Sequence, residues 1–494
     1  MDKLPDQLVA EFLVEFNSNR RYSRDAIARL AEIATADDQI LAEAGTRAMF
    51  ASLVERLADS FDPRTVSLYN RAFAQLIQAS RLRSKRLDSQ LQSFGIHNED
   101  DLVSRAERLR NSSPLKSNQS IRQVMILSRV TLGADVAITS VIVDRIQQNF
   151  PDAEVMIIGG SKTSQLLGGN SRLQFNEVSY RRGGTTIERL LSWLDLVECI
   201  HDLKRNFRAG ECLIIDPDSR LTQLGLLPLE PSIEEASQSN YLFFPSREFG
   251  AGTSRSLSQL TSQWLNTIFG EEQTTLPRVS LLTADLEAAR VIKPLKHASR
   301  PIIALNFGVG ENPLKRISGD FESILIRRLL QLGAGLVLDK GAGRHELDRI
   351  DQILGDIARV ERNGHAVRIA EINETNVMNV TDVPNDQPDI LVWNGRIGVL
   401  AALIAESDLY LGYDSAGQHI AAALGVNCID VFAGFSSPMM LDRWRPGGPA
   451  KTRVIAVDTI HAEPAAESVV DQVLRSVEEL LNSHPPSSSR RPRE

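Results

Sequence analysis

Apolar residues recur at helical spacing through the first 110 positions, where glycine and proline are almost absent. Leu8, Phe12 and Phe16 are typical, since residues three or four apart share one face of a helix. The stretch NSSPLKSNQS at 111–120 then has the composition of a linker. The pattern predicts an all-helical N-terminal domain over 1–115.

Beyond the linker, short apolar runs alternate with segments of helical period. QVMILSRV at 123–130 opens a first series, and PIIALNFG at 301–308 opens a second. Strands that alternate with helices predict parallel sheets covered on both faces. We therefore predict two α/β domains, 120–285 and 300–482. Ligands in such folds bind beyond the carboxyl ends of the strands, which predicts a site in a cleft between the two domains. The polar tail 483–494 is predicted to be disordered.

Composition narrows the class of protein. The chain has 494 residues, 42% hydrophobic and 24% charged, as in soluble multidomain proteins. A net charge of −8 argues against a nucleic-acid partner. The three cysteines are scattered, which predicts neither a metal site nor a disulfide framework. With an acidic N-terminus unlike a signal peptide and no long apolar run, we predict a cytoplasmic protein. Peripheral contact with the inner face of the membrane stays open.

The first junction between a strand and a helix with candidate chemistry is SRVTLGADVAITS at 128–140. Gly133 permits a tight turn, and Asp135 stands where the next helix begins. One interpretation makes Asp135 the N-cap of that helix. The other makes it a carboxylate that faces the cleft and takes a proton from a hydroxyl.

The second junction is NFGVGENPLKRISGDF at 306–321. Gly308 and Gly310 let the backbone approach a ligand, and the cations Lys315 and Arg316 follow. This combination suits a phosphate group, although cations on a loop are usually just solvated.

The third junction is GYDSAGQHIAAALG at 412–425. A helix that begins near Gly417 directs free N–H groups and the positive end of its dipole at the turn, which favours an anion. Asp414 is expected to fix the turn or to accept hydrogen bonds from ligand hydroxyls. His419 is expected either to donate to a phosphate oxygen or to be a packed side chain.

The segment LVLDKGAGRHELDRI at 336–350 imitates a dinucleotide-binding motif. Its third glycine position is occupied by Glu346, which would crowd the helix against the strand. We therefore set this segment aside as evidence for a nicotinamide cofactor and keep Glu346 as a hydrogen-bond acceptor for the cleft.

The three junctions together resemble the family 9 glycosyltransferases, the heptosyltransferase group, over about 121–482. The segment DSAGQHIAAALG matches that family's D-[ST]-G-P-x-H-x-A-A-A-L-G, with Ala416-Gly417 in place of Gly-Pro. LNFGVGENPLKRI matches its strand ending N-x-G followed by K-R-W, with Ile317 in place of Trp. ILSRVTLGADVAITS matches its opening strand, with Ala134-Asp135 in place of Gly-Asp.

The resemblance implies a GT-B fold, that is, two Rossmann-like domains facing across a cleft, here preceded by the helical domain. It also implies an inverting, metal-independent transfer of a sugar, heptose by family default, from a nucleotide-diphosphate donor to an acceptor hydroxyl. No cofactor is expected beyond that donor substrate. Asp135 would be the catalytic base. The residues implied in binding the donor and its phosphates are Asn306, Gly308, Lys315, Arg316, Glu346, Asp414, Ser415, Gly417 and His419.

Two other functions stay open: a sugar-nucleotide epimerase with the same fold, and an inactive protein that binds nucleotide or acts in assembly. The acceptor is undetermined among glycans, lipids, proteins and small molecules. For the helical region we hypothesise self-association into a homo-oligomer or the holding of a large acceptor.

Overall fold

The structure is a computed structural model that describes most of the chain. Left undescribed are residues 1–2, 20–21, 111–114, 116–119, 209, 232–240, 291–299, 311, 360, 363–364, 375–387, 436, 462–463 and 483–494. Most of the predicted linker and the whole predicted disordered tail therefore lie outside the described residues.

The chain divides into two compact units. The first comprises Met1–Thr131, Val141–Ser161 and Arg172–Thr275, and the second comprises Leu132–Ser140, Lys162–Ser171 and Leu276–Glu494. The short segment that contains Asp135 therefore belongs to the second unit. The domain boundaries expected from the sequence stay a prediction.

Helices alone make up the described part of the N-terminal region, as predicted. They are α1 (Lys3–Asn19), α2 (Arg24–Ala34), α3 (Gln39–Arg47, continuing through the π-helical Ala48–Val54 into Glu55–Ala58), α4 (Pro63–Arg83), α5 (Lys85–Ser93) and α6 (Glu99–Leu109). Several begin at side-chain caps, for example α6, where Asn98 and Asp101 form a capping box.

The first sheet has five parallel strands in the order β3-β2-β1-β4-β5. They are β1 (Gln123–Leu127), β2 (Glu154–Gly159), β3 (Leu173–Glu177), β4 (Cys212–Asp216) and β5 (Tyr241–Phe243). The helices between and after them are α7 (Leu132–Ala134, π-helical Asp135–Thr139 and Ser140–Asn149), α8 (Ser161–Leu167), α9 (Thr186–Lys204) and α10 (Leu257–Phe269). Every residue of β1 and β4 is buried, as expected for parallel strands covered on both faces.

The helical region and the first sheet share one hydrophobic core. Phe73 and Leu87 of the helices belong to the same buried cluster as Met125 and Leu127 of β1 and Trp193 of α9. Burial of this interface stabilises both parts together, because neither apolar face is covered without the other.

The loop after β4 contains a buried ionic cluster. Asp218 accepts hydrogen bonds from the Nε (2.9 Å) and Nη2 (3.1 Å) of Arg247 and from the hydroxyl of Ser246 (2.9 Å). The Arg247 guanidinium lies 4.7 Å from the ring centroid of Tyr69, in the helical region. The cluster therefore ties that region to the end of β4.

The second sheet has seven parallel strands in the order β10-β11-β7-β6-β12-β13-β14. They are β6 (Ile302–Asn306), β7 (Gly335–Asp339), β10 (Ile369–Asn373), β11 (Ile390–Asn394), β12 (Leu409–Tyr413), β13 (Cys428–Ala433) and β14 (Thr452–Val457), while β8 (Glu361–Arg362) and β9 (His365–Ala366) form a separate hairpin. The helices of this region are α11 (Thr283–Ala288), α12 (Phe321–Gln331), α13 (Arg344–Ile357), α14 (Ile397–Ala405), α15 (Ala416–Leu424), α16 (Pro438–Trp444) and α17 (Ala466–Asn482).

Parallel pairing places the carboxyl ends of β6, β7, β12, β13 and β14 at one edge of the second sheet. Because the loops that follow these strands leave the sheet on the same side, residues far apart in sequence meet there. None of the helices in the described residues combines the length and apolarity needed to cross a membrane.

Candidate functional site

The turn between β12 and α15 is the centre of the site. Ser415 is the N-cap of α15, with an extended backbone (φ −155°), and the helix begins at Ala416, one residue before the predicted start. Gly425 ends the helix in the left-handed conformation (φ 78°) that favours glycine. The first N–H groups of α15 are thus directed at the turn, as predicted.

Asp414 and Lys315 are brought together across this turn. Lys315 closes the 3-10 turn Pro313–Lys315 after β6, and its Nζ lies 2.5 Å from Oδ2 of Asp414. The other carboxylate oxygen accepts from the side-chain amide of Gln418 at 2.8 Å. Asp414, 6% exposed, therefore fixes the turn and is the counter-ion of the cation expected to bind phosphate.

Arg316 does not join this pair, although it neighbours Lys315. It lies against a separate cavity formed with residues that follow β14. Ile317, between this loop and the core, is buried and donates its N–H to the Tyr413 hydroxyl (3.2 Å).

Position 417 has room only for glycine because the side chain of Tyr410, which the sequence analysis did not single out, lies against it. A Cβ at position 417 would lie 2.1 Å from the hydroxyl oxygen of Tyr410, and a Cβ at Gly412 would lie 2.7 Å from it. Tyr410, fully buried on β12, thus lies directly under the first turn of α15. No periodicity distinguishes it from an ordinary core tyrosine.

His419 is a buried, neutral imidazole. Burial, opposed by the nearby Asp414 carboxylate, lowers the pKa of His419 to about 4. Its ring packs against Trp444 with centroids 6.0 Å apart, and a Cβ at Gly133 would lie 3.0 Å from its Cδ2. His419 thus matches the packed interpretation, and at neutral pH it has only a neutral N–H to offer a phosphate.

Asp135 is buried inside α7 rather than at its beginning. The helix starts at Leu132, so its N-cap position is Thr131 and the N-cap interpretation of Asp135 is wrong by four residues. Asp135 opens a π-helical turn, a feature often found at functional sites. Its Oδ1 accepts from the Thr139 hydroxyl (2.8 Å) and its Oδ2 from the Thr163 hydroxyl (2.9 Å), and its exposed fraction is 2%.

The segment that contains Asp135 packs against α15. Residues of Leu132–Ala134 and of Asp135–Thr139 both contact that helix. At Gly133 the two segments approach closely, since an added Cβ would meet His419 and the main chain of Ala416. The first and third junctions of the sequence therefore lie together.

Asn306 and Glu346 hold the glycine loops after β6 and β7. Oδ1 of Asn306 accepts from the N–H of Gly308 at 2.9 Å. Glu346 accepts from the N–H of Gly310 (3.0 Å) and of Ala342 (3.1 Å). Glu346 therefore joins the two loops.

Two further acids, Asp339 at the end of β7 and Asp430 in β13, belong to strands of the sheet that carries the site. Burial, reinforced by Glu346 and opposed by the N–H of Gly341, raises the pKa of Asp339 to about 7. Its Oδ2 accepts from Nδ2 of Asn306 at 2.8 Å. Asp430 is fully buried, and burial, reinforced by Asp414, raises its pKa well above the usual range. Neither oxygen of Asp430 has a hydrogen-bond partner among the described residues. The apolar sequences of these strands do not indicate how either acid is surrounded in the fold.

Metal-ligating side chains do not cluster in the part of the chain that the structure describes. No group of three or more histidine, cysteine, aspartate or glutamate side chains is arranged there to hold an ion.

Comparison with solved structures identifies the fold. A glycosyl transferase of family 9 from Veillonella parvula aligns with a TM-score of 0.52 at 15% identity, over 74% of this chain and 98% of that one. The chain has the fold of a family 9 glycosyltransferase. The fold predicted from the sequence, with two parallel-sheet α/β regions of the GT-B type after a helical region, is confirmed. The described strands begin at Gln123, after the N-terminal helices.

Two heptosyltransferases of E. coli align less well. They are ADP-heptose LPS heptosyltransferase II (TM-score 0.48, 16% identity, 73% of this chain and 99% of that one) and WaaC with ADP (0.47, 14%, 72% and 99%). No protein-family model and no curated protein matches the chain. The conclusion from structure therefore concerns the fold.

Proposed function

We propose that the protein is an inverting, metal-independent glycosyltransferase that moves a sugar from a nucleotide-diphosphate donor to an acceptor hydroxyl. The observation that carries the proposal is the Lys315–Asp414 pair at the N-terminus of α15, within the fold of a family 9 glycosyltransferase. ADP-heptose is the first donor to test, because the sequence resembles the heptosyltransferase group.

The donor diphosphate would lie at the turn before α15. Its departure from the anomeric carbon places negative charge on phosphate oxygens, and Lys315 together with the free N–H groups of α15 would stabilise that charge. Asp414 positions the Lys315 ammonium for this role. His419 would contribute a neutral N–H and Ser415 its hydroxyl.

Asp135 would accept the proton of the attacking hydroxyl. The hydroxyls of Thr139 and Thr163 hold its two oxygens. With the group almost fully buried, acceptor binding must bring the hydroxyl to it or turn it outward.

Donor binding is tested by thermal shift with ADP-, GDP-, UDP- and dTDP-sugars. A ligand at 100 times its Kd adds about 2.7 kcal/mol, enough for a clear rise in Tm. We expect Lys315→Gln to weaken binding of the best nucleotide about tenfold or more. The matched control, Arg316→Gln, should leave it unchanged, since Arg316 lies outside the Lys315–Asp414 pair. Unchanged affinity in Lys315→Gln would refute the phosphate role.

Transfer is tested with the donor so identified and a panel of acceptors. Asp135→Asn should abolish transfer and preserve nucleotide affinity, while Thr163→Val should only reduce the rate. Chelation with EDTA should leave the rate unchanged. Equal loss of binding and turnover in Asp135→Asn would make Asp135 a structural residue.

A second candidate function, nucleotide binding without catalysis, is favoured by the burial of Asp135 beneath two threonines. It predicts donor binding with neither transfer nor hydrolysis for any acceptor.

A further inference from the structure

A cavity of about 390 Å³ opens between the loop after β6 and the segment after β14. We call it the Arg316 cavity. Its lining includes Leu314, Arg316, Ser318, Thr459, Ile460 and His461. Its volume is within the range of small-ligand pockets. Both flanking segments follow strands of the same parallel sheet, so the cavity opens at the ligand-binding edge.

The cavity contains a cation without a counter-ion. Among the described residues, no hydrogen bond or ion pair reaches the half-buried guanidinium of Arg316, and its Nε is shielded from solvent without an acceptor. A partly buried cation without a hydrogen-bond acceptor destabilises the folded protein, and a bound oxyanion would supply that acceptor. The planar fork of arginine matches the paired oxygens of phosphate and carboxylate groups.

The walls around this cation are apolar and exposed. Leu314 is 50% exposed and Ile460 is 44% exposed, although both are large hydrophobic side chains. Ser318, Thr459 and His461 add polar groups to the lining. A ligand that filled the cavity would therefore cover apolar surface and neutralise one positive charge.

The two walls are held in place independently of any ligand. The Thr459 hydroxyl donates to the carbonyl of Leu314 at 2.7 Å. Asp458 Oδ1 accepts from the N–H of Ile460 (3.0 Å) and of His461 (2.9 Å), and these backbone amides are the main reason that the pKa of Asp458 is lowered. The Asp458 charge is thus engaged with the backbone, and Arg316 keeps its positive charge for a ligand.

We propose that the Arg316 cavity binds the anionic end of an amphipathic ligand, a phosphate monoester or a carboxylate attached to an apolar group. The site differs from the turn at Asp414, which engages Lys315 and not Arg316. The proposal goes beyond the proposed function and does not require it, because binding here needs neither a nucleotide nor transfer.

The test is calorimetric titration of the full-length protein with phenyl phosphate, benzoate, inorganic phosphate and phenol. Phenyl phosphate or benzoate should bind best, and whichever binds more tightly identifies the anion. Inorganic phosphate should bind several-fold more weakly, since it covers no apolar wall. Phenol, which has no charge, should not bind measurably.

Variants assign the binding to the cavity. Arg316→Gln should weaken the best ligand about tenfold or more, while Lys315→Gln should leave it unchanged. Leu314→Asp changes a half-exposed side chain, which should preserve the fold and place a repelling charge at the wall. It should also abolish binding. Equal affinity in wild type and Arg316→Gln, or a loss in Lys315→Gln alone, would overturn the proposal. Failure of nucleotide binding would instead count only against the glycosyltransferase proposal.

Discussion

The half-buried acid Asp339 should make the protein less stable as the pH rises through the neutral range. Its pKa is about 7 in the folded chain, against 3.8 for an aspartate in water. The folded state therefore binds more protons than the unfolded state between these values, so the free energy of unfolding falls as pH increases from about 4 to about 7. Asp339→Asn keeps the shape and an acceptor for Asn306 but cannot ionise.

The magnitude follows from the shift. A difference of about three pKa units corresponds to about 4 kcal/mol in full, of which about 2–3 kcal/mol falls between pH 5 and pH 8. This loss should be seen in wild type relative to Asp339→Asn, because all other titrating groups are common to both. Glu346, whose charge raises the Asp339 pKa, supplies a second variant. Glu346→Gln should move the midpoint of the effect to lower pH.

The measurement is denaturant unfolding of both proteins at pH 5, 6, 7 and 8, with the difference in unfolding free energy plotted against pH. A curve that is level above about pH 7 and rises below it supports the reasoning. A difference that is constant over the whole range would refute it, since Asp339 would then ionise as it does in water.

Three further substitutions test contacts described above, each by denaturant unfolding. Gly417→Ala places a methyl group against Tyr410 and should cost about 1–3 kcal/mol; adding Tyr410→Phe should recover part of this, and no recovery would show that the contact is not the cause. Asp218→Asn removes the charge that pairs with Arg247. Loss of one partner of a buried pair should lower the free energy of unfolding by about 3–5 kcal/mol. A loss below about 1 kcal/mol would contradict a tight pair. Glu346→Ala leaves two loop amides without their acceptor and should cost about 1–3 kcal/mol, with a neutral effect indicating that water replaces the carboxylate.

Much of the fold was predictable because the sequences of buried parallel strands are short apolar runs. β1 and β6 occur within the apolar runs 123–130 and 301–308 that predict them. β5 was missed because it has only three residues, and β14 because its half-buried edge position gives it a mixed pattern. Strands at the margin of a sheet carry little periodic signal.

The candidate site was less predictable, because its geometry depends on long-range contacts. Lys315 and Arg316 form a single basic pair in the sequence, yet a 3-10 turn ends between them and they meet different neighbours. Asp135 has the spacing of an N-cap, but the helix starts earlier with a short turn that no local signal marks. Tyr410 reaches the site only because its strand, β12, lies beneath α15.

The N-terminal helices cannot be treated as a removable attachment. A shortened chain starting at residue 116 would lack the helical half of the buried cluster that also contains Met125 and Leu127, so apolar side chains of that core would be exposed to water. Aggregation of such a fragment would be expected whatever the helices do in the cell. Their role in assembly or in holding an acceptor is better probed by replacing exposed side chains such as Leu82, which is 77% exposed, with the bundle left intact.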